Sequence, residues 1–188
     1  MNPQPFTTSV GSSAARVDQP LVVVVTGPPA AGKTTVARGI AERLRLPLLT
    51  KDTVKEALFD ELGVGDLAWS AQLGAATYVV LEALVEESVL AGASLVLEGK
   101  FVRGSRLETR LAALPARFVQ IHCSAPLELL VERYAARERH PGHVDSERIE
   151  ALREAVETGR HDPLDLPGDT IRLDTTQPLD GSPRSLRD

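Results

Sequence analysis

A chain of 188 residues is long enough for one domain with a real core, and 43% hydrophobic with 25% charged residues is the composition of an ordinary globular protein. A net charge of -5 argues against retention on long nucleic acid by bulk electrostatics, and no apolar run approaches the roughly 18 residues of a membrane span. Cys123 is the only cysteine, which excludes an internal disulfide and a cysteine-built zinc site.

Residues 1–19 are rich in Pro, Ser, Thr, Gln and Gly and lack the cationic start and apolar core of a signal peptide. They read as a disordered tail, so a cytoplasmic location is the default. Leu21-Val22-Val23-Val24-Val25 is an unbroken β-branched run suited to a central parallel strand buried on both faces. A glycine-bearing loop follows, then a helix with Val36, Ala37, Ile40, Ala41 and Leu44 at helical spacing. Residues 47–50 make a short second strand. Thr53-Val54-Lys55-Glu56 has capping-box spacing and predicts a helix through about Leu62. A long helix is expected from Trp69 to Ala91, with Leu73, Ala76, Val80, Leu81, Leu84 and Val85 on its buried side and Gly92 as its stop. Trp69 itself reads as core, with the lining of an acceptor pocket as the alternative.

Residues 94–98 form a third strand, and Ser105-Arg106-Leu107-Glu108 caps the next helix. Residues 117–123 form a fourth strand, ending on Cys123 as a small buried residue. Pro126 opens a helix with Leu127, Leu130, Val131 and Tyr134 on one face. Ile149, Leu152 and Val156 mark one more helix, residues 170–173 a fifth strand, and residues 177–188 a second loose tail. Strands alternating with helices imply one three-layer α/β domain over residues 20–176, a parallel sheet with right-handed crossovers and helices on both faces.

The segment Gly27-Pro28-Pro29-Ala30-Ala31-Gly32-Lys33-Thr34 fits G-x-x-x-x-G-K-[ST] in full, between a buried strand and a helix. Gly27 and Gly32 let the backbone turn its N–H groups inward, and the following helix start adds partial positive charge. Lys33 would bring an ammonium to the β and γ oxygens of ATP or GTP. Thr34 would offer its hydroxyl to Mg²⁺, and Thr35 extends the nucleotide-binding segment.

Three further groups of residues narrow the chemistry. Glu98 ends an apolar strand at the edge that faces the ligand crevice in parallel sheets, where it could hold a water, the Mg²⁺ shell or a substrate hydroxyl. Asp52, just past the second strand, is the candidate carboxylate to align an acceptor hydroxyl and take its proton, although Asp is also a favoured helix cap. Arg133, Arg137 and Arg139, with His140 and His143, form a basic stretch that can close on a triphosphate; the alternative is a solvated helix end, and the histidines read as loop residues. Lys55, Lys100 and Arg103 are candidates for binding an anionic part of the acceptor. Asp174-Thr175-Thr176 either borders the adenine or makes a turn. The chain has 17 arginines and only four lysines, Lys33, Lys51, Lys55 and Lys100, so each lysine is suspect of needing its compact ammonium.

On the phosphate loop, Asp52 with Lys55, Glu98 and Arg137-Glu138-Arg139, the chain resembles the P-loop kinases of the zeta-toxin, chloramphenicol phosphotransferase and polynucleotide-kinase-like group, over roughly residues 20–176. The resemblance implies a five-stranded parallel sheet in the order 2-3-1-4-5, Asp52 as catalytic base and lid arginines on the triphosphate. Lys55 stands where many relatives have Arg. The function expected is an ATP-dependent kinase, with a nucleoside triphosphate and a small-molecule hydroxyl (nucleoside, sugar or antibiotic-like) as its two substrates. One alternative is a nucleoside-monophosphate or nucleic-acid-end kinase. The other is a non-enzymatic nucleotide-dependent switch.

Overall fold

The computed structural model describes residues 19–137, 140–143 and 149–177. Most of the two expected tails, with Glu138 and Arg139 of the basic stretch, lies outside the described residues.

The valine run forms β1 (Leu21–Thr26), the centre of a five-stranded sheet with β2 (Leu48–Thr50), β3 (Leu95–Glu98), β4 (Arg117–Ser124) and β5 (Gly168–Asp174). The order is β2-β3-β1-β4-β5 and every pairing is parallel, as the resemblance implies. Alternate residues of β1 feed two cores, as the period-2 strand requires. Val22 and Val24 pack with α3 (Leu67–Leu90) and α4 (Arg106–Ala112) through Leu81, Val85, Leu107 and Leu111. Val23 and Val25 pack with α1 (Lys33–Leu44), α5 (Leu127–Ala136) and α6 (Ile149–Glu157) through Val36, Ala37, Leu130 and Leu152. Cys123 sits in this second core, where burial pushes its thiol up to about 11.

Three local expectations need correction. The helix after β2, α2 (Lys51–Leu62), starts two residues before Thr53, because Thr50 is its cap: the Thr50 hydroxyl accepts the Thr53 N–H at 2.9 Å. Asp52 therefore lies in the first turn of a helix and is not its cap. The face of α3 is also different. Ser70, Leu73, Thr77, Leu81, Glu82, Val85 and Val89 are buried, while Ala76 is exposed and Val80 and Leu84 remain 40% and 42% exposed. No charged residue occurs from Leu67 to Leu81, so apolar periodicity had two faces to choose between. Polar groups on the buried face find partners: Thr77 donates to Leu73 O at 2.7 Å, and Glu82 pairs with Arg106 at 2.9 Å. Finally, Trp69 is neither core nor pocket lining. It is half-buried at the start of α3, its indole N–H donating to Gly63 O at 2.9 Å, while Asp66 caps the helix.

Candidate active site

The phosphate loop leaves β1 at Gly27, whose φ of 135° is open only to glycine; a Cβ there would lie 2.2 Å from the Cys123 carbonyl oxygen on β4. Ala30 and Gly32 are left-handed, at φ 63° and 71°, which folds the loop around its own interior. Lys33 Nζ spans that loop to donate to Pro28 O at 2.7 Å. No side chain caps α1, and its first turn holds no acidic residue, so the helix start offers its N–H groups without a protein anion to meet them. This cradle fits a phosphate chain.

Thr34 lies one residue into α1 and donates to Glu98 Oε2 at 3.4 Å, joining the phosphate loop to the end of β3. Glu98 is 4% exposed; burial raises its carboxyl above the usual range, against the opposing pull of Lys33. Burial likewise lowers the Lys33 ammonium, while Glu98 and then Asp52 hold it up. Among the described residues no three His, Cys, Asp or Glu side chains converge on a metal site. A magnesium ion accompanying the triphosphate would therefore rest on Thr34, Glu98 and phosphate oxygens.

These groups line one cavity of 290 Å³ between the phosphate loop, α2, the β3 end and α5. Asp52 stands in its wall, its side chain 41% exposed and 3.2 Å from Lys51 Nζ. All four lysines of the chain line this cavity. Pro29, Ala30, Gly32, Thr34 and Thr35 contribute the nucleotide side, and Arg137 reaches it after stacking its guanidinium 4.2 Å above the Tyr134 ring. Arg133 lines the rim, held by the carbonyls of Thr175 and Thr176 at 2.9 and 3.1 Å. Gly27, Pro28 and Ala31 form the back of the loop. The 174–176 segment is a turn braced against it, with the Thr175 hydroxyl 3.1 Å from Ala31 O.

Arg103 is not brought to the cavity; it is exposed in the turn before α4. Ser70 and His143 do line it, and neither was singled out as a site residue from sequence. Ser70 carried one faint signal: it sits seven residues before Thr77 on the stripe that α3 buries. His143 was read only as a loop residue of the basic stretch, because its place depends on a Pro141-Gly142 turn reaching back to α2.

The family model described as AAA domain (AAA_33) matches residues 22–158, which takes in the phosphate loop, Asp52, Glu98 and the arginine-bearing segment. The chain belongs to this family. Relatives of this AAA domain include a cytidylate kinase of Pyrobaculum neutrophilum, 29% identical over 150 residues that are 79% of this chain and 76% of the relative. A proposed adenylyl-sulfate kinase of Pyrococcus abyssi is 31% identical over 115 residues, 58% of this chain and 62% of its own length. Among solved structures, a proposed kinase of Chloroflexus aurantiacus j-10-fl superposes with a TM-score of 0.78 at 38% identity, covering 87% of this chain and 94% of that one. The chain thus has a P-loop kinase fold, and its relatives are kinases named for different acceptors. Among the described residues, no helix is long and apolar enough to cross a membrane.

Proposed function

We propose that this AAA domain is an ATP-dependent kinase that transfers the γ-phosphoryl group to a hydroxyl of a small molecule. The observation that carries the reading is Asp52, a half-exposed carboxylate in the same cavity wall as the phosphate loop, Glu98 and Arg137. In the reaction the acceptor oxygen bonds to Pγ while the bond from Pγ to the bridging oxygen breaks, and that oxygen keeps the electron pair as ADP leaves. Asp52 takes the hydroxyl proton. Lys33 and the α1 N-terminus meet the charge on the β and γ oxygens, and Arg137, with Arg139 beside it in sequence, meets the charge of the transferring group. Thr34 and Glu98 would hold a Mg²⁺ ion, which when bound would further neutralise the phosphate oxygens. Lys55 and Lys100 face the acceptor.

A second reading, a nucleoside-monophosphate or nucleic-acid-end kinase, is favoured by the lysines Lys51, Lys55 and Lys100 around the acceptor end and by the cytidylate kinase relative. Arg103 has no part in it.

The first reading and the nucleoside-monophosphate form of the second differ in their need for a base, because an acceptor phosphate is already ionised and an alcohol is not. Wild type and Asp52→Asn are assayed for γ-phosphate transfer from ATP to a hydroxyl library and to nucleoside monophosphates. The kinase reading expects an alcohol product lost by at least about 100-fold in the variant. Product on a monophosphate that survives Asp52→Asn moves the assignment to the second reading. No product on either acceptor class removes both.

A further inference from the structure

The acceptor end of the cavity is built on one face of α2. Glu56, Phe59 and Asp60, spaced i, i+3 and i+4, all meet the turn formed by residues 140–143. His143 Nε2 lies 3.1 Å from Glu56 Oε1 and His140 Nε2 lies 3.0 Å from Asp60 Oδ1. His140 Nδ1 accepts the Gly142 N–H at 3.1 Å, which leaves its Nε2 as the donor to Asp60. The His140 ring stacks on Phe59 at 5.5 Å and 7°, and the Gly142 backbone presses so close that a Cβ would lie 2.4 Å from the Phe59 ring.

Lys55 is tied to the same turn by two routes. Its Nζ stands 5.0 Å from the Phe59 ring centroid, and it donates to Ser70 Oγ at 2.8 Å. An ammonium can only donate, so the Ser70 hydroxyl accepts there and has a single hydrogen left. That hydrogen goes to Gly142 O at 3.0 Å. Lys55 is 3% exposed and Ser70 and Phe59 each 1%, so water does not substitute readily for either bond.

We propose that Ser70 is a positioning residue that locks the Lys55 ammonium and the His140–His143 turn into one unit. The 140–143 turn, seated on α2 and α3, then helps to hold the acceptor-side cation in place. The functional meaning of this lock rests on the kinase reading, since that reading places the acceptor beside Lys55. Through it, seating of the 140–143 turn and ordering of the acceptor wall are coupled. Coupling of this kind is reciprocal: loosening the turn frees Lys55, and removing Lys55 loosens the turn.

The test uses the full chain and two measurements that need no turnover. One is hydrogen exchange of the peptide covering residues 140–143. The other is acetic anhydride labelling of amines read by mass spectrometry, tractable because the chain has only four lysines. Ser70→Ala is expected to raise both turn exchange and Lys55 labelling on the order of fivefold to tenfold, the scale of one buried hydrogen bond. Ser70→Thr keeps the hydroxyl and restores both; exchange in β1 serves as the internal reference. Gly142→Ala, whose Cβ would press on the Phe59 ring and displace the turn, is expected to raise Lys55 labelling, and Lys55→Met to raise turn exchange. These two variants carry the test if Ser70→Ala does not fold. Faster turn exchange with unchanged Lys55 labelling in both Ser70→Ala and Gly142→Ala would overturn the proposal, reducing Ser70 to a local structural bond. Failure of the kinase reading shows separately, as absence of product in the Asp52→Asn comparison.

Discussion

Burial pulls both Lys33 and Glu98 toward their neutral forms, and each partly offsets that pull on the other. Lys33→Met removes the ammonium meant for the β and γ oxygens. Binding of a non-hydrolysable ATP analogue with Mg²⁺, measured by calorimetry, is expected to weaken by roughly 10- to 100-fold, the worth of about 1.5–3 kcal/mol for a charged hydrogen-bond partner. Glu98 gives a pH signature. Its carboxyl titrates above the ordinary value of 4.5 in the folded protein, so between those two pH values the folded state binds the extra proton. The stability this contributes is present below the unfolded value and is lost as pH rises through the folded one. Denaturation curves of the free protein from pH 4 to 7 should show this fall, and Glu98→Gln should flatten it. An identical slope in the variant would assign the fall to other groups.

At the scale of elements, two helix starts set the site. The α1 start is left without a side-chain cap where the phosphates are to sit. The α2 start is capped by Thr50, whose hydroxyl also donates to Thr53 Oγ1 at 2.7 Å. Thr50→Ala is expected to cost about 1 kcal/mol in urea denaturation, more than Thr53→Ala, which leaves the cap on the backbone N–H intact. The reverse ranking would restore the capping box predicted at Thr53. This cap matters beyond stability, because it fixes the turn carrying both Lys51 and Asp52. In α3, Asp66 caps the helix and the buried stripe through Leu73 and Leu81 aims Ser70 toward Lys55. The Pro141-Gly142 turn closes that corner against Phe59.

For the molecule as a whole, the cavity joins the phosphate loop, α2, the β3 end and α5, so a bound triphosphate should stabilise the folded state globally. A ligand at 100 times its dissociation constant adds about 2.7 kcal/mol. In a chain of this size that corresponds to a rise in Tm of roughly 5–10 °C. Thermal unfolding with Mg²⁺ and a non-hydrolysable ATP analogue checks this, and chelating the Mg²⁺ should remove most of the shift. A full shift in the presence of chelator would count against the Thr34–Glu98 metal position. The sequence by itself determined the strand–helix alternation, the sheet order through family resemblance, and the phosphate loop. Each of these is written in local order: a β-branched run, a fixed glycine spacing, a lysine and a threonine at the helix start. It also marked Asp52 and Glu98, because strand ends in a parallel sheet converge on one edge, and the four lysines, because they are so few beside 17 arginines. Only the tertiary structure decided which face α3 buries, since its stretch from Leu67 to Leu81 carries no charge to mark a solvent side and only packing chooses between its apolar sides. It alone turned Trp69 and Arg103 away from the cavity and brought Ser70 and His143 into it. The places of Ser70 and His143 depend on contacts between segments some 70 to 90 residues apart, Ser70 with Gly142 and Glu56 with His143. No local periodicity carries that information, because pairs so distant in sequence meet only after the sheet has set where the helices lie.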